Sequence, residues 1–171
     1  MTDEYYLNLD ETCSIVDTIK EFLDKAVWVW VPYMLLAYNF PEKEIVNDSF
    51  LTEISEKFGG KLRLYKIPKN SVYNWHQDYN VGCALNLVMD EYNCHTLFST
   101  KTHSYKTTTG HPIIHDVIEL KYVPCKYTLF NNQQLHQVVN LDDRDRYLLT
   151  MTFPKEISYE VVKDWYLSRT K

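Results

Sequence analysis

Residues 130–153 read FNNQQLHQVVNLDDRDRYLLTMTF, and this stretch indicates the fold most directly. It contains two runs of apolar and β-branched residues, 135–141 and 146–153, separated by the turn residues Asp142 and Asp143. This pattern is typical of successive β-strands joined by a turn. Because side chains alternate along a strand, four residues of the second run share one face: Arg146, Leu148, Thr150 and Thr152.

The strand pattern extends back to residue 61. Six or seven short strands are predicted there, over 61–68, 83–89, 94–99, 117–123, 127–130, 135–141 and 146–153. Short strands at this spacing suggest a sandwich or barrel. The chain before residue 59 has helical spacing instead, over 12–26 and over 41–58, where Gly59 and Gly60 end the second pattern.

We therefore expect a single domain over residues 1–171 that is mostly β with flanking helices. Within it, we expect a helical covering segment at 1–58, a β core at 61–154 and a tail at 155–171 that ends in a short helix. With 171 residues and 45% hydrophobic composition, the chain has enough material for a core, which excludes disorder as its main state. The net charge of −5 argues against a protein that coats nucleic acid.

The four cysteines are too scattered for a disulfide framework or a structural zinc site, and they favour reduced thiols in a cytoplasmic protein: Cys13, Cys83, Cys94 and Cys125. The acidic start of the sequence lacks the apolar core of a signal peptide. The most apolar run, 26–37, is interrupted by Pro32 and is too short to span a bilayer. We therefore expect no membrane partner.

Two histidines and one aspartate have the spacing of a metal site. His76 and Asp78 are two residues apart, so on an extended segment they face the same point. A pair of this kind arises by chance roughly once in such a chain, and the alternative is a surface histidine beside an acid. His136, near the start of a later strand, adds a second imidazole. Two His and one carboxylate form the facial triad of non-haem iron(II) enzymes, which leaves open positions for a co-substrate and dioxygen.

Arg146 follows His136 by ten residues and opens the last predicted strand. A cation on a small or apolar strand face needs a partner, because an unpaired buried charge is costly. A guanidinium matches the geometry of a carboxylate, so we expect Arg146 to bind one. The alternative is an ion pair with the nearby Asp143.

His76-x-Asp78, then His136 and Arg146 on late short strands, resemble the iron(II)/2-oxoglutarate-dependent oxygenases. The resemblance is greatest to their aspartyl/asparaginyl β-hydroxylase branch and covers about residues 61–154, with matching stretches at 75–78, 83–87, 93–96 and 130–146. It implies a double-stranded β-helix, the jelly roll of the cupin-like proteins. It also implies hydroxylation of a C–H bond with consumption of 2-oxoglutarate and dioxygen.

By position, the resemblance implies that His76, Asp78 and His136 bind Fe(II) and that Arg146 binds the distal carboxylate of 2-oxoglutarate. It implies a hydroxyl contact to that carboxylate from Tyr65 and a polar contact to the co-substrate from Asn86; the alternative for Asn86 is a hydrogen-bonded core residue. At two positions the family is not uniform, and this chain has Asp78 at the first and Leu148 at the second. Some members of the branch have Gly in place of the carboxylate ligand, and many 2-oxoglutarate enzymes have Ser or Thr at the position of Leu148.

The resemblance implies that the substrate is a peptidyl or amino-acid side chain, and a small metabolite is the alternative substrate. The alternative to an enzyme is a jelly-roll binding module that has no catalytic activity. The remaining histidines are not expected to bind zinc: Pro112 argues against a helix joining His111 to His115, His103 lies in a polar stretch, and His95 alternates on a strand. Aromatic residues are expected either to rim the site or to pack on the sheet: Trp28, Trp30, Tyr33, Tyr73, Trp75 and Tyr79.

Overall fold

The computed structural model describes residues 2–31, 35–100, 102–106, 112–114 and 116–169. The strands are β1 (Tyr6–Thr12), β2 (Val29–Val31), β3 (Leu35–Asn39), β4 (Lys61–Ile67), β5 (Ser71–His76), β6 (Val81–Val88), β7 (Cys94–Ser99), β8 (Thr102–Lys106), β9 (Pro112–Ile114), β10 (Val117–Leu120), β11 (Lys126–Phe130), β12 (His136–Asn140) and β13 (Arg146–Pro154). The helices are α1 (Val16–Lys25), α2 (Ser49–Phe58), α3 (Tyr159–Arg169) and a 3-10 helix (Glu42–Asn47).

Two antiparallel sheets face each other across the site. Within the described residues, the larger sheet has the order β1-β11-β6-β13-β4-β3-β2 and the smaller one β10-β7-β12-β5, while β8 and β9 pair separately. This arrangement is a double-stranded β-helix, so the predicted jelly-roll fold class is confirmed. No helix in the described part of the chain is long and apolar enough to cross a membrane.

Alternation along the strands of the larger sheet separates the core from the site. On β13, Leu149 and Met151 join a core formed with the helices, whereas Arg146 and Thr150 line a cavity on the other face. The helices bury their apolar side chains in the same core; fully or almost fully buried are Ile15, Ile19, Phe50, Leu51, Ile54 and Val162. At about 25 cal/mol per Å² of buried apolar surface, this covering layer is a main source of stability.

The expectation of a helical covering segment at 1–58 is wrong in one respect: the segment also contributes three strands to the larger sheet. β1 pairs with β11, and the hairpin of β2 and β3 extends the opposite edge through β4. These short segments gain their strand conformation from pairing with a neighbouring strand, which local spacing does not reveal.

The two predicted helices of this segment are present, but the second is split. The Asp48 carboxylate accepts a hydrogen bond of 2.9 Å from the Leu51 amide and so caps α2 after the 3-10 helix. The predicted stop is correct, because Gly59 ends α2 with a φ of 67°. Val46, which falls within the predicted helix at 41–58, lies on the 3-10 helix before this cap and is exposed.

Candidate metal centre

The two histidines of the predicted triad are direct cross-strand neighbours. His76 ends β5, His136 begins β12, and the two residues pair in register, with ring centroids 4.1 Å apart. Asp78 lies two residues beyond β5, in the turn that leads to β6. Its carboxylate oxygens lie 3.9 Å from His76 Nε2 and 3.8 Å from His136 Nε2. One ligand atom from each residue therefore lies within 4.8 Å of the others.

Backbone carbonyls orient both imidazole rings. The Asn74 carbonyl lies 2.6 Å from His76 Nδ1, and the Gln134 carbonyl lies 2.8 Å from His136 Nδ1. Because a carbonyl oxygen only accepts, each Nδ1 carries the hydrogen, and each Nε2 presents its lone pair towards Asp78. This is the tautomer that a metal-binding histidine requires, fixed by the hydrogen bond at its other nitrogen.

Burial keeps both rings neutral at pH 7. It lowers the pKa of His76 below the ordinary value for a histidine. Burial and the proximity of His76 together lower the pKa of His136 to about 4. Metal ligation needs neutral imidazole, so neither ring has to lose a proton to bind a cation near neutral pH.

Among the side chains that the structure describes, no lysine or arginine pairs with the negative charge of Asp78. Within the described residues, its ion-pair contacts are the two imidazoles, and Asn132 Nδ2 donates a hydrogen bond of 2.6 Å to its Oδ2. One carboxylate and two neutral imidazoles carry a net charge of −1 in a half-buried position. This donor set fits a divalent transition metal and matches the 2-His-1-carboxylate pattern of non-haem iron(II).

A cavity of about 470 Å³ extends from this cluster between the two sheets. All six residues singled out from the sequence line it: Tyr65, His76, Asp78, Asn86, His136 and Arg146. Tyr65 lies on β4, directly opposite Leu148 of β13. Asn86, on β6, is 5% exposed and donates a hydrogen bond of 3.2 Å to the Tyr122 hydroxyl.

Arg146 is a buried cation without a carboxylate partner among the described residues. It is 2% exposed, and its Nη1 lies 2.8 Å from Cys94 Sγ and 3.4 Å from Thr96 Oγ1. Its guanidinium also stacks over the Tyr122 ring at 4.9 Å. The alternative pairing with Asp143 does not occur, and the neighbouring Arg144 instead pairs with Asp142 at 3.1 Å.

Three further residues of the cavity wall were not singled out from the sequence as site residues. Tyr122 lies beyond the end of β10 but within the predicted strand 117–123, where it alternates with Leu120. Thr150 shares the face of Arg146 by alternation, so a signal was available for both residues. Asn132 belongs to the turn before β12. The buried atoms Asn86 Oδ1, Asn132 Oδ1 and Thr150 Oγ1 have no hydrogen-bond partner in the described structure. Of these, Asn86 Oδ1 and Thr150 Oγ1 belong to residues that line the same cavity as Arg146, and unpaired polar atoms in such a cavity suit a polar ligand.

Among the described side chains, that of His95 is not part of this cluster. His95 Nδ1 lies 2.6 Å from Glu119, which also binds Lys121 at 2.6 Å, so His95 belongs to a surface ion-pair group. His111 and His115 lie outside the described residues, as does Tyr33, and the side chain of His103 is not described.

The aromatic residues divide between packing and exposure. Trp28 packs against Tyr38 and Tyr147, as expected for a residue that covers the sheet. Tyr73 lines the cavity, whereas Trp30 and Tyr79 are 63% and 71% exposed.

No protein-family model and no curated protein matches this chain. Several solved structures, in contrast, are similar to it. HygX from Streptomyces hygroscopicus with nickel and 2-oxoglutarate bound aligns with a TM-score of 0.61 and 12% identity, over 90% of this chain and 84% of HygX. A prolyl-4-hydroxylase from Pseudomonas putida aligns with a TM-score of 0.58 and 10% identity, over 87% of this chain and 91% of the enzyme.

A prolyl hydroxylase from Trichoplax adhaerens, in complex with a peptide fragment of hypoxia inducible factor, aligns with a TM-score of 0.58 and 13% identity, over 91% of this chain and 85% of the enzyme. The chain has the fold of the 2-oxoglutarate–iron(II) oxygenases. At these identities the likeness concerns the fold, and it does not single out the aspartyl/asparaginyl hydroxylase branch.

Proposed function

We propose that this protein is an iron(II)- and 2-oxoglutarate-dependent dioxygenase that hydroxylates a C–H bond. The observation that carries the proposal is the joint presence, in one cavity, of the His76–Asp78–His136 cluster and of Arg146, a buried cation that pairs with no carboxylate in the described part of the chain. A structural role explains neither a carboxylate facing two neutral imidazoles nor a buried guanidinium that has no anionic partner in the part of the chain that the structure describes.

In this proposal, His76 and His136 hold iron(II) through their Nε2 atoms and Asp78 through a carboxylate oxygen. Three protein ligands leave positions for a chelating co-substrate and for dioxygen. The chemistry that the bound metal and co-substrate supply is oxidation of 2-oxoglutarate to succinate and carbon dioxide, with one oxygen atom of dioxygen entering a C–H bond as hydroxyl. The protein contributes ligand geometry, co-substrate orientation and exclusion of water.

Arg146 binds the distal carboxylate of 2-oxoglutarate in this proposal. The unpaired Thr150 hydroxyl lies on the same strand face, and the Tyr122 ring lies under the guanidinium. Tyr65 lines the cavity on the neighbouring strand and is proposed to add the expected hydroxyl contact. Asn86 joins this polar wall through its hydrogen bond to Tyr122 and is proposed to contact the co-substrate with its amide.

For the substrate, we propose a peptidyl or amino-acid side chain, as the resemblance to the aspartyl/asparaginyl branch implies. The free cysteines favour a cytoplasmic setting for the protein. Val31 and Leu35 line the cavity and place the β2–β3 hairpin beside its mouth. β2 is an edge strand of the larger sheet, and its Val29 and Trp30 are exposed. An exposed apolar strand edge suits an extended polypeptide, which adds to it through backbone hydrogen bonds. A small metabolite remains the second candidate, because HygX is known with hygromycin B bound.

The test is formation of succinate from 2-oxoglutarate by the full chain with Fe(II) and air, screened against peptides that contain Asp, Asn or Pro and against free amino acids. We expect succinate formation to require iron and to increase with the correct substrate. The matched control is His76→Ala, which should form none. A wild-type protein that binds 2-oxoglutarate but never forms succinate would instead be a non-catalytic binding module.

A further inference from the structure

The carboxylate of the triad is less constrained by the fold than the two imidazoles. His76 and His136 lie on paired strands, and a backbone carbonyl holds each ring. Asp78 lies in the turn between β5 and β6, and its side chain is 32% exposed. A carboxylate at such a position can rotate towards solvent unless another group holds it.

Asn132 contacts Asp78 at both its side chain and its backbone. Asn132 Nδ2 donates to Asp78 Oδ2 at 2.6 Å, and the Asn132 carbonyl accepts a hydrogen bond of 3.1 Å from the Asp78 amide. Two neighbouring contacts brace the same pair of turns. Gln77 Nε2 donates to the Gln133 carbonyl at 2.8 Å, and Gln133 Nε2 donates to the Asp78 carbonyl at 2.9 Å.

The chemistry of this contact fixes the orientation of the amide. An ionised carboxylate only accepts hydrogen bonds, so the amide nitrogen of Asn132 must face Asp78. Its Oδ1 is then left buried and without a hydrogen-bond partner in the described structure. A buried unpaired acceptor costs free energy. The contact therefore serves Asp78 at some expense to the fold.

A neutral donor is also the kind of partner that a metal ligand can tolerate. A lysine or arginine at this place would neutralise the carboxylate and compete with the cation. An amide orients the carboxylate through a charge-assisted hydrogen bond and leaves its charge available to a metal. Residues that orient metal ligands in this way typically alter metal affinity 10- to 100-fold when they are replaced.

We propose that Asn132 is a positioning residue that holds Asp78 towards the two imidazoles before metal binds and thereby sets the affinity of the site for a divalent cation. This inference rests on the proposed role of His76, Asp78 and His136 as metal ligands. Asn132 acts through Asp78, so its removal weakens metal binding more than it weakens the fold.

Asn131 offers a matched control in the same turn. It is 5% exposed, against 7% for Asn132, and its Nδ2 donates a hydrogen bond of 2.8 Å to the Glu4 carbonyl, away from Asp78. Asn131→Ala and Asn132→Ala therefore remove the same atoms at nearly the same depth. Both should lower the thermal unfolding temperature of the metal-free protein, but only Asn132→Ala removes a contact with the triad.

The experiment is isothermal titration of the full, metal-free chain with Co(II) alone, combined with thermal unfolding of each metal-free protein. We expect Asn132→Ala to raise the Kd for Co(II) by about 10- to 100-fold. Asn131→Ala should change it by less than about 3-fold. At saturating Co(II), Asn132→Ala should bind 2-oxoglutarate nearly as tightly as the wild type, because Arg146 is untouched. If Asn132→Ala does not fold, Asn132→Leu takes its place, since it fills the space without a donor.

Equal Co(II) affinity in Asn132→Ala and the wild type would overturn the inference while leaving the metal site intact. An equal loss of affinity in both asparagine variants would also overturn it, because the effect would then be a general loosening of the turn. A wild-type protein that does not bind Co(II) would overturn both the inference and the proposed function.

Discussion

Replacement of Arg146 by methionine is expected to change stability and co-substrate affinity in opposite directions. The guanidinium is 2% exposed and has no carboxylate partner among the described residues. What holds it is a thiol, a threonine hydroxyl at 3.4 Å and the Tyr122 ring. Methionine keeps an unbranched apolar stem of similar reach, so Arg146→Met removes the charge while keeping most of the packing.

The stability effect is the balance of two opposing contributions. The cation–π contact is worth up to about 2 kcal/mol when it is desolvated. The desolvation penalty of a buried charge is several kcal/mol, and no carboxylate in the described ranges offsets it. We therefore expect Arg146→Met to stabilise the ligand-free protein by about 1 kcal/mol or more. For a domain of this size, that corresponds to a rise of about 2–4 °C in Tm.

The same substitution removes the carboxylate partner proposed for 2-oxoglutarate. Truncating one partner of a buried charge pair costs about 2–5 kcal/mol, so 2-oxoglutarate should bind about 30-fold to several thousand-fold more weakly. The assay is calorimetric titration of 2-oxoglutarate into Co(II)-loaded protein, with thermal unfolding measured in parallel. The control is Arg144→Met, because Arg144 is an exposed residue paired with Asp142. Arg144→Met should lower the free energy of unfolding by less than about 1 kcal/mol and leave the affinity for 2-oxoglutarate unchanged.

A lower Tm of Arg146→Met with unchanged binding of 2-oxoglutarate would refute this reasoning, because Arg146 would then be a structural cation. Equal effects of the two arginine substitutions on binding would show that the strand register assigned to Arg146 is wrong.

Three further predictions concern pH, substrate binding and the covering segment. The pKa of His136 falls to about 4 on folding, so the unfolded chain takes up a proton before the folded chain as pH falls. The free energy of unfolding of the metal-free protein should therefore decrease by about 2 kcal/mol between pH 7 and pH 5. Urea unfolding at the two pH values measures this decrease. An unchanged pH dependence in His136→Gln would contradict the assignment of the decrease to His136. Trp30→Ser should raise KM for a peptide substrate several-fold and leave KM for 2-oxoglutarate unchanged. A rise in both KM values would show that Trp30 stabilises the fold and does not contact the substrate alone. Deletion of residues 1–58 should expose the core face of the larger sheet and cause aggregation, measured by light scattering. A truncated chain that is monomeric and consumes 2-oxoglutarate would show that the segment does not cover the sheet.

Local patterns in the sequence predicted which side chains share a strand face better than they predicted which strands pair. Alternation correctly placed Arg146, Leu148, Thr150 and Thr152 on one cavity-facing side, because alternation is a local property of a strand. The pairing of β5 with β12, which makes His76 and His136 neighbours, depends on contacts between residues sixty positions apart and was not deducible. β5 was not among the predicted strands, although Val72, Tyr73 and Trp75 are residue types common in strands, because polar residues interrupt them.

The missed features share one physical origin. β1, β2 and β3 gain their strand conformation from sheet partners, and the helical patterns beside them dominated the interpretation of residues 1–58. Tyr122 reaches the cavity from a loop, and Asn132 acts through another side chain. Tyr122 alternates with Ile118 and Leu120 in the predicted strand 117–123, so a local signal for it was available, whereas Asn132 lies in a turn that has none. Both depend on how separate turns meet in space.

The most direct test of the central claim is an anaerobic titration of the metal-free protein with Fe(II) and 2-oxoglutarate, followed by visible absorption. If His76, Asp78 and His136 hold iron while Arg146 anchors the co-substrate, a weak visible charge-transfer band should appear only when both ligands are present, and it should saturate at one equivalent of iron. The band should be absent in His76→Ala and should require far more 2-oxoglutarate in Arg146→Met. No band in the wild type, or an equal band in His76→Ala, would contradict the assignment of this cavity as an iron and 2-oxoglutarate site.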